Sequence, residues 1–414
     1  MQRANILLGI LFLFSSTGYS QESGKEKGSW GIGFSGFVNS QVFYDTRQVV
    51  QAREGMVILL PQKPEYDRDG NDIHAHASLN QLSMTTRLRG NITGPDALGA
   101  KTNGVIEGDF TGQSNRDNNG FRLREAWVKL TWRNRSVLTG LYWHPLYTPE
   151  VRPHTIALNT GAPFHPFSRH NQVRFTQEVH NIKIIAVAAS QRDYASDGPA
   201  GRSSKYMRDA VVPNLDLQFQ YYPGKHLFGF GIDYKVLQPR LSAGSHPDSL
   251  KKTNRKIHSF AAIVFAKIDL RFAELKFGAV WGQNMTEHIM IGGYVEKPDR
   301  SHPHSFHYAN ANQSSVWTDI SSRGQTFRAG IFAGYGNNLD RQEIKAHEYY
   351  GNFPDLVYAF RVSPRLQYYA GKLMLASEFE YTAAAYALDK ASNGLPGTEL
   401  TGNLRILLAA FYFF

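Results

Sequence analysis

The last eleven residues, Leu404-Arg-Ile-Leu-Leu-Ala-Ala-Phe-Tyr-Phe-Phe414, restrict the fold more than any other stretch. Leu404, Ile406, Leu408, Ala410, Tyr412 and Phe414 share one face at a spacing of two, the spacing of a β-strand. Arg405, Leu407, Ala409, Phe411 and Phe413 share the other. An apolar face tipped with aromatic rings suits a wall that meets lipid, because such rings sit at the membrane interface. The competing reading is a buried edge strand of a soluble sandwich.

The 414 residues suffice for one large barrel or for two or three ordinary domains. There is no Cys, which excludes a disulfide framework, a thiolate metal site and a lipoprotein anchor. Mean hydropathy is −0.38, which argues against a helical membrane protein but is compatible with a barrel, where every second residue faces water. One apolar run, Ile6 to Phe14, follows Arg3 and precedes a small, polar stretch ending at Ser20. It is too short to span a bilayer. Residues 1–20 are therefore expected to be a signal peptide, 21–30 a short polar lead and 31–414 an outer-membrane barrel. The formal charge of +10 falls to +9 without Arg3. Such a charge could suit nucleic acid, but the cations are scattered along the chain, and no nucleic-acid partner is expected.

From Gly31 onward, strand patterns alternate with turns and loops, about sixteen strands in all. The second, Leu82 to Ile92, puts Leu82, Met84, Thr86, Leu88 and Ile92 on one face and Ser83, Thr85, Arg87, Arg89 and Asn91 on the other. Short turns such as Tyr222-Pro-Gly-Lys225 alternate with long connections such as His144–Asn171 and Met285–Gln313. An even count with the short turns at one end puts both termini in the periplasm. No strand is apolar on both faces for long, which argues against a parallel α/β core.

Alternation turns Arg87, Arg89, Lys129, Arg328, Arg361, Arg365 and Arg405 to the lumen, together with Glu107, Asp109 and Glu125. A lipid-facing Arg near the midplane would cost ~2–4 kcal/mol, which places these side chains inside. If the last strand closes on the first, the arginines share one wall, with Glu378 and Glu380 between them. Glu107, Asp109, Glu125, Glu178, Asp216 and Asp233 are then expected on a far, acidic wall. Separated walls would let a water-filled pore sort solutes by charge; the plainer alternative is a solvated network that stiffens the barrel. Arg122 and Arg124 break the pattern by sharing parity with outward Ala126, which fits a rim, a bulge or a subunit contact.

The ending resembles the C-terminal strand of gram-negative outer-membrane proteins, in which a terminal Phe is read by the barrel-assembly machinery; Phe414 and Tyr412 match. Gly36-Phe-Val-Asn-Ser40, Asp45 to Gly55, Arg87 to Lys101, Tyr142-Trp-His-Pro145 and Asn159 to Arg169 resemble the DcaP-like porins, and the likeness covers nearly the whole mature chain. It implies an all-β, transmembrane, antiparallel up-and-down β-barrel of about sixteen strands with an inward-folded third loop. It also implies a homotrimer in outer-membrane lipid and lipopolysaccharide that passes small, anionic, dicarboxylate-like solutes. His144–Asn171 would be the constriction. Arg47 and Arg53, with Arg152, His154, His165 and Arg169 of that connection, would join the lumen arginines in lining it. With so short a lead, no N-terminal coiled-coil clamp is expected for the trimer.

Other groupings are weaker. His74 and His76, and the run His302 to His307, lack a fixed third metal ligand. Asp67 to Asp72 resembles a calcium loop without the Gly at its sixth position or the Glu at its twelfth. No nucleophile and base are singled out by a motif. No metal, cofactor or enzymatic activity is therefore expected. A plugged receptor of about 22 strands needs a longer chain. The alternative function is a non-conducting barrel that acts as a subunit of a larger outer-membrane complex, suggested by the apolar content of the long connections.

Overall fold

The structure, a computed structural model, describes residues 30–243, 250–299, 306–388 and 397–414. The expected signal peptide, and all of the lead except Trp30, lie outside the described residues. Sixteen antiparallel strands form a closed wall. They are β1 (Gly31–Asp45), β2 (Arg87–Ala97), β3 (Ala100–Asp109), β4 (Arg122–Thr131), β5 (Arg135–Trp143), β6 (Arg169–Val179), β7 (Ile182–Ser190) and β8 (Asn214–Tyr221). There follow β9 (Leu227–Leu237), β10 (Ile257–Asp269), β11 (Ala273–Gln283), β12 (Phe306–Ser322), β13 (Phe327–Asn338), β14 (Leu356–Ala370), β15 (Leu373–Ala387) and β16 (Thr398–Phe413). β16 returns to β1, in register from Phe37↔Phe413 to Asp45↔Arg405. Closure is what a bilayer demands, since backbone polar groups there must bond within the protein.

The two faces follow the alternation. On β16, Leu408 and Tyr412 are 57% and 54% exposed, whereas Asn403 and Arg405 are fully buried. Phe228, Phe230 and Ile232 continue the apolar exterior on β9, as do Leu375 and Phe379 on β15. The second strand is where the expected alternation fails. A short strand, Ser78–Leu82, pairs with Gln41–Asp45, and β2 pairs with Gly31–Phe37. Ser83–Thr86 interrupt the two. There Asn39 N–H donates to Thr86 Oγ1 at 3.1 Å, and the Thr85 hydroxyl donates to the Asn39 side chain. Short polar side chains replace ladder bonds, and Met84 is buried instead of facing lipid.

Turns at one end of the barrel are short, and connections at the other end are long. Among the described residues, three of the long ones fold inward: the hairpin Val49–Ala52/Val57–Pro61, the His144–Ser168 segment and residues around the short 3₁₀ turn Thr286–His288. Leu60, Leu146, Val151, Phe164, Met290 and Ile291 of these segments pack with Ile263 and Phe332 of the wall in one buried cluster. The long connection Met285–Gln313 also contains a strand, Gly292–Pro298, which pairs with the start of β12.

Candidate functional site

The His144–Ser168 segment crosses the lumen and is bonded to wall after wall. Gln218 of β8 donates to Pro145 O at 2.8 Å and to Thr148 Oγ1 at 2.9 Å. Lys276 of β11 donates to Arg152 O at 3.0 Å and approaches His154 Nε2 at 2.6 Å. Asp319 of β12 accepts from His154 N–H, and Glu378 of β15 accepts from Ile156 N–H. Glu380 accepts from the Asn159 amide at 2.8 Å, and Arg361 of β14 donates to Ala162 O at 2.7 Å.

Most of the expected lumen arginines point inward but have partners. The Arg361 guanidinium, fully buried, also donates to Leu59 O at 2.8 Å and Thr382 Oγ1 at 2.8 Å, and lies 3.4 Å from Glu380. It ties both the first hairpin and the crossing segment to the wall. Arg365 pairs with Asp319 at 2.8 Å, Arg405 forks onto Asp45 at 2.9 and 2.6 Å, and Arg47 meets Asp72 at 2.6 Å. Arg328 donates to Gly324 O at the short-turn end. Lys129 has no carboxylate at ion-pair distance among the described residues.

The expected far acidic wall is not what the structure shows. Glu107 and Asp109 lie on β3, beside the arginines of β2, and Glu125 lies on β4, the next strand. Arg89 bridges Glu107 at 2.9 Å and Glu125 at 3.3 Å, two carboxylates that face each other across the ladder. Like charges directly opposite are unfavourable unless a cation sits between them. Arg122 and Arg124, whose parity was anomalous, complete the network. A register shift on β4 leaves Arg124 unpaired in the ladder and turns it inward beside Glu125. It holds Glu107 at 2.8 Å and Asp109 at 2.7 Å, and Arg122 holds Asp109 at 2.9 Å. Arg87, 3.7 Å from Glu107, is the fourth guanidinium around these three carboxylates. Arg169 and Arg53 adjoin them without a carboxylate partner. Arg169 lies over the rings of Trp143, Tyr194 and Phe167 at 4.6, 5.2 and 5.8 Å, with its Nη1 buried and unbonded. Arg53 bonds Asn115.

Among the described residues, one group brings three potential metal ligands within 4.8 Å, the buried His144, Asp216 and Asp233. His144 Nδ1 already accepts from Leu146 N–H at 3.3 Å, so its Nε2 carries the hydrogen and faces Asp216 at 3.4 Å and Asp233 at 3.8 Å. A ring nitrogen that carries the hydrogen offers no lone pair to a metal, and no hydrogen bond closes between it and either carboxylate. Burial, with His288 and His170 close by, keeps this imidazole neutral well below the usual histidine range. His74 is held by Lys63 O at 2.7 Å, and Asp67 accepts from the backbone of Asp69 and Asn71 in a closed turn. His302 and His304 lie outside the described residues.

Two cavities flank the crossing segment. One, of about 170 Å³, is lined by Arg53, Tyr194, Arg202, Phe167 and Ile289 of the long connections and by Arg122 at the start of β4. The other, of about 690 Å³, lies at the short-turn end and is lined by Arg87, Arg152, His154, Arg323, Arg328 and Glu274, among others. Sequence reasoning missed the inserted first hairpin, Tyr194 and the anchors Asp45 and Asp319. The carboxylates had inward parity, but their partners follow only from closure.

No protein-family model matches the sequence, and no curated protein matches it. Its fold does match solved structures. The outer membrane channel DcaP of Acinetobacter baumannii superposes with a TM-score of 0.68 at 15% identity, over 93% of this chain and 97% of that one. An anion-selective porin from Comamonas acidovorans gives 0.58 at 11% identity, over 93% and 100%. The trimer form of Vibrio cholerae OmpT, an outer membrane protein, gives 0.55 at 9% identity, over 93% and 100%. The chain thus has the fold of the outer-membrane channels and porins, as its likeness to the DcaP-like group led one to expect.

Proposed function

We propose that the chain is an outer-membrane porin of the DcaP-like kind through which small hydrophilic solutes diffuse, with a preference for anions. The observation that carries this reading is the excess of guanidinium over carboxylate on the inner face beside the inserted segments. Arg87, Arg89, Arg122 and Arg124 surround three carboxylates, and Arg53 and Arg169, bonded to Asn115 and Tyr194, add positive charge without a carboxylate partner. Preorganised cations in a narrow, partly dry pore attract anions and exclude cations of like size. The DcaP channel and the anion-selective porin share the fold. In this reading the short turns and both termini face the periplasm, the long connections face outward, and three copies associate in lipid and lipopolysaccharide.

The test is a planar bilayer under a salt gradient. Stepwise conductance with an anion-favouring reversal potential is expected, and Arg169→Gln should move that potential toward zero while the barrel stays heat-modifiable. Cation preference in the wild type would remove the role given to the arginines. A second reading, a non-conducting barrel in a larger complex, is favoured by the buried apolar cluster between the inserted segments. Silence from a folded barrel would select it.

A further inference from the structure

The two cavities come together at one side chain. Leu158 lines both the smaller cavity under the long connections and the larger one at the short-turn end. Ile156 and Ala157 before it are buried against Phe43, Met374, Ala376, Leu407 and Ala409, and Ile156 N–H is held by Glu378. Asn159 after it is buried and held by Glu380 at 2.8 Å. Leu158 itself is only half-buried between these anchored neighbours. Its backbone is therefore held on both sides, and its side chain borders both cavities. An apolar constriction opposes water and hydrated ions by dewetting, even where the walls on either side are basic.

We propose that Leu158 is the residue that sets the size limit of the passage, an apolar gate between two cavities that both carry guanidinium groups. This rests on the porin reading above. Solutes small enough to pass the leucyl side chain cross, and larger ones are held at the arginines of the first cavity.

The experiment uses the full-length barrel in bilayers and liposomes. Leu158→Ser is expected to raise single-channel conductance about twofold or more by removing the apolar block, and Leu158→Phe to lower it. Because the chain has no cysteine, Leu158→Cys offers a single thiol. An anionic thiol reagent should add its mass to Leu158→Cys from either face of the membrane and reduce the current. Leu158→Ala, with heat-modifiability as the folding check, stands in if the serine variant does not assemble. If the wild type conducts and the serine and alanine variants match it, or if the thiol is labelled from one face only, Leu158 is not the gate and the porin reading survives. If the wild type and the serine variant are both silent, the porin reading fails and the gate with it.

Discussion

At the scale of single residues, the lumen arginines divide by what they touch. Parity in the sequence was enough to turn Arg361, Arg365 and Arg405 inward. It could not say that Arg361 would spend its donors on two inserted segments instead of on solute. Removing it with Arg361→Ala would strip Ala162 O and Leu59 O of their donor and leave Glu380 buried without its cation. Breaking one member of a buried pair typically costs ~3–5 kcal/mol, so a lower unfolding midpoint and a larger, noisier conductance are expected; a quiet, unchanged channel would contradict that role. The histidines of the crossing segment make a second case. Burial holds the His165 imidazole down to about 3; His154, beside Lys276 but with its side chain 44% exposed, shifts the same way and is screened by water. Released from the lumen, each would titrate near 6.5. The released segment therefore binds more protons than the seated one below that pH. Seating is at full strength above pH ~6.5 and weakens as pH falls toward ~3, by about 1.4 kcal/mol per unit for His165 and by less for the water-screened His154. Limited proteolysis of the segment should accelerate between about pH 7.5 and about pH 4.5; equal rates would refute it.

At the scale of elements, the seat of the crossing segment is built from what the wall lacks. β13 presents Gly330, Gly334 and Gly336 inward. The Arg365 side chain fills the space beside the first, and a Cβ on Gly334 would come within 2.8 Å of Phe164. Gly334→Val therefore forces Phe164, and the segment that carries it, away from the wall. Single-channel recordings should show altered conductance with the barrel still folded, and a wild-type trace from this variant would show that Phe164 does not set the segment's position. The irregularity of β4 is the second such device. One extra residue lets Arg124 and Glu125 both face inward, which no strict period of two allows. The parity conflict at Arg122 and Arg124 was visible in the sequence as an anomaly, but its resolution needed the partner strand. The inserted first hairpin was less legible. Val49, Ile58 and Leu60 are buried inside the barrel, yet the apolar run Met56–Pro61 is short and lies between Arg53-Glu54 and Lys63, with no period of two to mark it as part of the wall.

At the scale of the whole molecule, the barrel exists because its ends meet. Asp45 and Arg405, directly opposite each other across the β1–β16 seam, are both fully buried and doubly bonded, with Asn403 adding a bond of 2.8 Å. Asp45→Asn would leave the guanidinium without its counter-charge and is expected to destabilise the closed barrel by ~3–5 kcal/mol. Urea unfolding followed by the loss of heat-modifiable migration would measure it, and an unshifted midpoint would mean that the seam does not depend on this pair. What the sequence by itself determined is the wall: the period of two, the lipid-facing apolar set ending at Phe414, the even run of strands with short turns at one end, and the inward parity of the charged residues. These are local properties, set by a pleat that repeats every two residues and by a solvent that tolerates no charge on one face. Only the tertiary structure decided which cation meets which carboxylate, that basic and acidic residues interleave on adjacent strands instead of facing each other across the lumen, and which connections fold inside. Those outcomes depend on register and closure, which bring together residues hundreds of positions apart, as at Asp45 and Arg405, and no local period encodes such a distance.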